Sequence, residues 1–239
     1  MSKRLFDLIL VVLTSPVWAP VMIVTIVLMA VVEGMPIFYR SNRRVMRKLN
    51  MRILKFRTMV RNAEAICNRE VVPIVNQRFL NTPADSPLFT PLGRWVERFQ
   101  ITELPQVLHV ITGHMSIVGN RPLPENVIAS LRELYPAVED RFGTPAGLTG
   151  LVQLIGREEI SDGERLCLES HYCQATDENY SARLDFLILV CTVLIVLRLI
   201  KPFTIAQAHD LIDRFSPGSW SGGVVTAQRT ASSGERETT

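Results

Sequence analysis

From Leu8 to Val32 the chain runs 25 residues without a charge, and Val, Leu, Ile and Met fill most of them. At 1.5 Å of rise per residue, such a run is long enough for the ~30 Å hydrocarbon core of a bilayer, and it predicts a membrane helix. Within it, Ser15-Pro16-Val17-Trp18-Ala19-Pro20 sets two prolines four residues apart. Each proline removes an amide donor and crowds the preceding turn, so a kink is expected at Ser15 and Pro16. The hydroxyls of Thr14 and Ser15 stand where they can bond the carbonyls that the prolines free. A cleaved signal peptide fits poorly, because its apolar core runs ~7–15 residues. No A-x-A site follows, and Asp7 stands at the entrance.

Beyond this run the pattern shortens. Residues 36–57 read as extended pieces joined by a basic turn, with Met51 to Phe56 as half-buried strand. Val60 to Val72 reads as a polar helix, and residues 73–90 as loop, broken by Pro73, Pro83 and Pro87. Thr90-Pro91 opens a short helix to about Phe99, with Thr as N-cap and Pro as first helical residue. Thr102 is expected to cap a helix from Glu103 to Thr112, ended by Gly113. Pro124 to Tyr135 reads as helix and Thr149 to Ile155 as strand. Ser161-Asp162-Gly163-Glu164 is a capping-box pattern before a helix to about Gln174.

In Leu184 to Ile200 the uncharged core, Phe186 to Leu197, has 12 residues, too few to span, so a buried or interfacial helix is expected. The Ser-, Gly- and Thr-rich residues 216–239 predict a disordered end. The fold class is therefore α+β: mostly helical and monotopic, with an N-terminal re-entrant membrane helix and a small cytoplasmic domain with short strands. The divisions are 1–34 for the membrane helix, 35–203 for the cytoplasmic domain (with the interfacial helix 184–200), and 204–239 for a polar tail.

The re-entrant expectation comes from charge. Lys3 and Arg4 precede the apolar run; Arg40, Arg43, Arg44, Arg47, Lys48, Arg52, Lys55, Arg57 and Arg61 follow it, with no Asp or Glu between Gly34 and Ala63. Basic flanks mark the cytoplasmic side, and a spanning helix would force one of them outward. A hairpin with both ends inside avoids that, and leaves the basic stretch against anionic headgroups.

Composition narrows the class further. With 47% apolar and 21% charged residues in a chain of 239, one domain with an appendage is expected, and collagen, coiled coil and global disorder are excluded. The net charge of +3 is too small to indicate nucleic acid, and aromatics are sparse in the basic stretch. Cys67, Cys167, Cys173 and Cys191 form no CxxC pair, so reduced thiols are expected. Cys167 and His171 share a helix face near Cys173 but lack a second ligand pair, and no metal site is read there.

Three stretches look chemically specific: Lys55-Phe56-Arg57-Thr58-Met59, Thr102-Glu103-Leu104-Pro105-Gln106, and Gly113 through Arg121-Pro122, followed by Leu123-Pro124-Glu125. In them the chain resembles the bacterial sugar transferases, the monotopic phosphoglycosyl transferases. The resemblance extends from Lys3-Arg4-Leu5-Phe6-Asp7 through the Ser15-Pro16 kink to Thr144 through Gly150, Gln153, Asn179-Tyr180-Ser181 and Leu184-Asp185. About 200 of the 239 residues are covered.

The resemblance implies transfer of a sugar-1-phosphate from a nucleotide-sugar, usually a UDP-sugar, to a polyprenyl phosphate, initiating exopolysaccharide or glycoconjugate synthesis. It places the protein at the cytoplasmic face of the bacterial inner membrane, with Mg²⁺ as cofactor and membrane lipid, donor and acceptor as partners; a second copy of the chain stays open. Lys55, Arg57 and Arg121 are the phosphate candidates, since Arg binds phosphate oxygens in pairs and Lys as a point charge. Pro122, Gln106 and Asp185 join them as substrate-binding residues. Glu103 matches the family's metal-binding Glu, and one carboxylate suffices when phosphates complete the Mg²⁺ shell.

Thr102 departs from the family, whose Asp there is the nucleophile of a covalent intermediate. A threonyl phosphodiester is far more stable than an aspartyl phosphate, and its hydroxyl needs a base. His109 lies seven residues on, roughly 10 Å along a helix. Three readings follow: another carboxylate, such as Glu103 or Asp85, attacks; the polyprenyl phosphate attacks directly; or the chain is a catalytically impaired homologue that binds its ligands and regulates polysaccharide assembly. Lesser departures are Asn120, His114, Ala146 and the glycine-free turn at Val45 to Lys48.

Overall fold

The computed structural model describes residues 1–63, 86–155 and 160–217. Helix α1, Lys3–Val32, begins at Ser2, whose side chain accepts from the Leu5 amide, and continues through Pro16 and Pro20. The expected local repair is present. Ser15 Oγ donates to the Val12 carbonyl (2.8 Å), the acceptor that Pro16 leaves without an amide. Thr14 Oγ1 donates to Leu10 (2.7 Å), and the Trp18 indole to Val11 (2.9 Å).

Strands β1 (Phe38–Met46) and β2 (Leu49–Phe56) pair antiparallel, Phe38 opposite Phe56, around the basic turn Arg47-Lys48, as the alternation predicts. Helix α2 (Pro91–Arg98) starts where expected, with the Thr90 side chain capping the Gly93 amide. The next segment corrects the sequence reading. Thr102 is no N-cap; it lies buried inside a 3-10 turn, Ile101–Gln106, which leads into the short helix α3, Val107–Ile111. Pro105 has no amide to give an α-helical bond there, and the tighter turn takes its place. Gly113, at φ +83°, ends the helix.

Strand β3 (Ser116–Val118) pairs parallel with β4 (Gly147–Thr149). Gly147 is required here, since a Cβ on it would lie 2.1 Å from the Gly119 nitrogen. The strand expected to reach Ile155 stops at Thr149 and turns into helix α5, Leu151–Ile155. A short apolar run carries no period that separates the two forms. Between β3 and β4 lie α4 (Glu125–Leu134) and a 3-10 turn, Pro136–Phe142.

Helix α6 (Asp162–Glu178) carries the predicted capping box and runs a turn longer than expected. Helix α7, Ala182–Val196, is half-buried: Leu184, Asp185 and Ile188 face inward, while Phe186, Val193 and Val196 are exposed. Ordered structure continues past the boundary placed at 204. Thr204 and Gln207 form a second capping box, and helix α8, Ile205–Phe215, puts Ala208 and Ile212 into the main core. Residues 64–72 of the predicted polar helix, most of the following loop with Asp85, Cys67 and the end from 218 lie outside the described residues.

Both ends of α1 rest on this one body. Phe6, Leu10 and Val11 join the main core with Val107, Val110 and Ile188, while Met29 packs with Ile37, Phe56 and Val96. At the start, Lys3 pairs with Asp185 (2.6 Å) and the Arg4 guanidinium bonds the carbonyls of Val110 and Ile111. At the end, Glu33 Oε1 accepts from Thr90 Oγ1 (2.5 Å) and the Gly93 amide (3.1 Å). Along its outer side Val12, Leu13, Val17, Ile23, Val24 and Val31 are exposed, an apolar surface that water does not favour.

Candidate functional site

Three distant segments bring charge together. Lys55 comes from the end of β2, Glu103 from the 3-10 turn, and Arg121 from the segment after β3. Glu103 Oε1 accepts from Lys55 Nζ at 2.7 Å and from Arg121 Nη2 at 2.6 Å. Its Oε2 has a longer contact, 3.3 Å, with Arg121 Nη1.

Two cations around one carboxylate leave a surplus positive charge. Burial alone would raise the Glu103 pKa, but Arg121 and Lys55 overcome it and hold the group at about 2. Lys55 is pushed the other way: burial disfavours its charge, Glu103 compensates only in part, and Arg121 adds repulsion. The asymmetry follows from the count, since Glu103 has two counter-ions and each cation has half of one. An anion brought to this face would complete the balance.

The support behind Arg121 was not legible in the sequence. Arg141 is fully buried; its Nη2 donates to the Arg121 carbonyl (2.9 Å), while it pairs with the buried Glu169 through Nε (2.5 Å) and Nη2 (2.9 Å). Asn120, one of the departures, sends its amide to the carbonyls of Arg141 (2.9 Å) and Glu169 (3.0 Å), fixing the backbone beside Arg121. These residues lie far apart in sequence on different elements, so no local pattern marks them.

The other candidates separate. Thr102 is next to Glu103, and its hydroxyl donates to Glu97 Oε2 at 2.7 Å. Glu97, on the last turn of α2, was not singled out by the sequence reading. Gln106 is buried, and its Nε2 has no hydrogen-bond partner among the described residues. Pro122 is buried beside Arg121. His109 accepts from the Leu54 amide (3.0 Å) through Nε2, a structural bond that removes it as a base for Thr102.

Arg57 is not brought to the cluster. It is buried, and its guanidinium donates to the carbonyls of Pro36 (2.6 Å), Gly34 (3.1 Å) and Glu33 (3.2 Å), tying the exit of α1 to β2. Asp185 is likewise absent from it. That carboxylate is buried against Lys3 and accepts from Tyr172 Oη at 2.6 Å. In both cases burial under α1 commits the charge to the fold. Among the described residues, no group of three or more His, Cys, Asp or Glu is arranged to hold a metal.

The family model described as bacterial sugar transferase matches residues 1–199. The exopolysaccharide production protein ExoY of Sinorhizobium fredii is 32% identical over 80% of this chain and 84% of its own. The UDP-galactose-lipid carrier transferase of Erwinia amylovora is 31% identical over 82% of this chain and 40% of its own. The undecaprenyl-phosphate galactose phosphotransferase of Salmonella typhimurium is 28% identical, again over 82% of this chain and 40% of its own.

Proposed function

The chain belongs to the bacterial sugar transferases, and on that premise we propose that it moves a sugar-1-phosphate from a nucleotide-sugar, a UDP-sugar, to a polyprenyl phosphate in exopolysaccharide synthesis. The observation that carries this reading is the surplus positive charge of Lys55 and Arg121 around the single carboxylate of Glu103. A diphosphate donor supplies the missing negative charge, and Arg121 presents a planar pair of donors to its oxygens. The products are a polyprenyl diphosphate-sugar and a nucleoside monophosphate. An impaired regulator is not favoured, because the relatives that the chain resembles are named as transferases.

Mg²⁺ fits this donor set. Glu103 Oε2 has only a 3.3 Å contact with Arg121, which leaves one oxygen free enough to ligate the ion, and Mg²⁺ is habitually held by few carboxylates with phosphates and water. When bound, the ion would neutralise charge on the diphosphate. Glu103 would hold it, while Lys55 and Arg121 orient the phosphates.

The packing of α1 supports a re-entrant helix at the cytoplasmic face of the inner membrane. A straight helix of 30 residues is about 45 Å long. A spanning helix would carry its far end away from the domain, yet Met29 and Glu33 touch the same body as Lys3 and Phe6. The exposed apolar side of α1 would then enter the lipid, where the acceptor resides.

The direct test is nucleotide release. Purified full-length protein in detergent, given polyprenyl phosphate, Mg²⁺ and a panel of UDP-sugars, is expected to release UMP with at least one of them. Release at background level for every sugar would refute the transferase reading.

A further inference from the structure

Glu97 and Thr102 are brought together by a chain reversal. Helix α2 ends at Arg98, Gln100 adopts φ 58°, and the 3-10 turn folds back along the last turn of α2. A left-handed conformation is uncommon outside glycine. Here it turns the buried Thr102 hydroxyl towards the surface carboxylate of Glu97, at 2.7 Å. We propose that Glu97 is the nucleophile of the sugar-phosphate transfer and that Thr102 orients its carboxylate beside Glu103. This deepens the reading given above and rests on it.

Three groups around position 102 compete for the role. The Thr102 hydroxyl has its proton committed to Glu97, and the phosphodiester it would form is an unactivated ester that a second phosphate displaces slowly. Glu103 Oε1 is engaged by Lys55 and Arg121, and its Oε2 is the oxygen assigned to Mg²⁺ above, so neither is left for attack. Glu97 differs from both. Its Oε2 accepts the Thr102 hydroxyl, and its Oε1 has no hydrogen bond or ion pair with a described residue. It is a steered carboxylate, un-neutralised by any described cation and bonded to the residue that directly precedes Glu103 in the 3-10 turn.

The chemistry balances without a further reactant. Glu97 Oε1 attacks the phosphorus that bears the sugar, and an acyl O–P bond forms. The bond from that phosphorus to the nucleoside phosphate breaks, and its electron pair leaves with the nucleoside monophosphate. The acyl phosphate is a mixed anhydride, so an oxygen of the polyprenyl phosphate attacks the same phosphorus. The acyl O–P bond then breaks and returns the carboxylate of Glu97. Neither step requires a proton transfer.

The test uses the full-length protein with a UDP-sugar labelled at the phosphate next to the sugar, first without acceptor lipid. The wild type is expected to form a labelled adduct that hydroxylamine removes, with the resulting hydroxamate mapped to Glu97 by peptide mass spectrometry. Glu97→Gln is expected to lose the adduct and at least about 10³-fold in UMP release, while its melting temperature stays at the wild-type value. Adding T102D to that variant returns a carboxylate to the same space and is expected to restore turnover and move the adduct to position 102. An adduct on Thr102 or Glu103, an adduct stable to hydroxylamine, or near-normal turnover by E97Q would overturn the assignment while leaving the transferase reading intact. No UMP release by the wild type, with or without lipid, would instead overturn the transferase reading itself and this assignment with it.

Discussion

Lys55 on the hairpin and Glu103 in the 3-10 turn are 48 positions apart in sequence and 2.7 Å apart in space. With Arg121 on the far side of the same carboxylate, they join three segments through one charge. Glu103→Gln keeps the shape and removes the charge, leaving Lys55 and Arg121 to repel each other. The expected outcome is a loss of at least ~100-fold in kcat/KM, with Arg121→Ala losing a similar factor through weaker donor binding. Steady-state kinetics on the purified variants checks both.

The pH dependence should be asymmetric. Glu103 titrates at about 2 in the folded protein against 4.5 ordinarily, so it is ionised throughout the working range and sets no acid limb there. Its contribution to stability is complete above pH 4.5 and is lost as pH falls towards about 2. Lys55 is lowered from 10.5 by burial, so its proton leaves earlier than from a free lysine and donor binding weakens as pH rises through that point. Lys55→Arg keeps its charge to higher pH and is expected to move the alkaline limb of kcat/KM upward, read from a pH–rate profile.

Arg57 and Asp185 should report on the fold rather than on substrate. Arg57→Ala strands the carbonyls at the exit of α1 and is expected to cost about 2–3 kcal/mol. Asp185→Ala removes the counter-ion of the half-buried Lys3 ammonium and the carboxylate that accepts the Tyr172 hydroxyl under α1, a loss of about 3–5 kcal/mol. Denaturation midpoints in detergent measure both losses, and the KM for the nucleotide-sugar of the folded fraction should stay near the wild-type value.

What was legible in the sequence was local. The uncharged run, the alternation around Met51 to Phe56, the Thr90-Pro91 start and the Ser161 capping box each lie within one element, and the structure contains α1, β2, α2 and α6 there. The setting of Thr102 was not legible, because it depends on the left-handed turn at Gln100 and on Pro105 tightening the helix. Arg57 lies in a basic stretch that suggested phosphate, and only its burial at the α1 exit assigns it to the backbone. Helix α8 had its signal, a Thr204–Gln207 box with Ala208 and Ile212 one turn apart, in a segment whose polar continuation hid it.

Topology offers an independent check on the membrane account. In a background lacking native cysteines, Ser2→Cys and Arg40→Cys, both at exposed positions flanking α1, are expected to react with an impermeant maleimide only after the cytoplasmic side is opened. Labelling of one from outside intact cells would make α1 a spanning helix.

The most direct measurement is the fate of the phosphate next to the sugar. With a UDP-sugar labelled on that phosphorus, Mg²⁺ and polyprenyl phosphate, the account predicts that label and sugar pass together into the organic phase, with unlabelled UMP released in equal amount. Label that stays in water as UDP while the sugar alone reaches the lipid, or label that never leaves the donor, would contradict it.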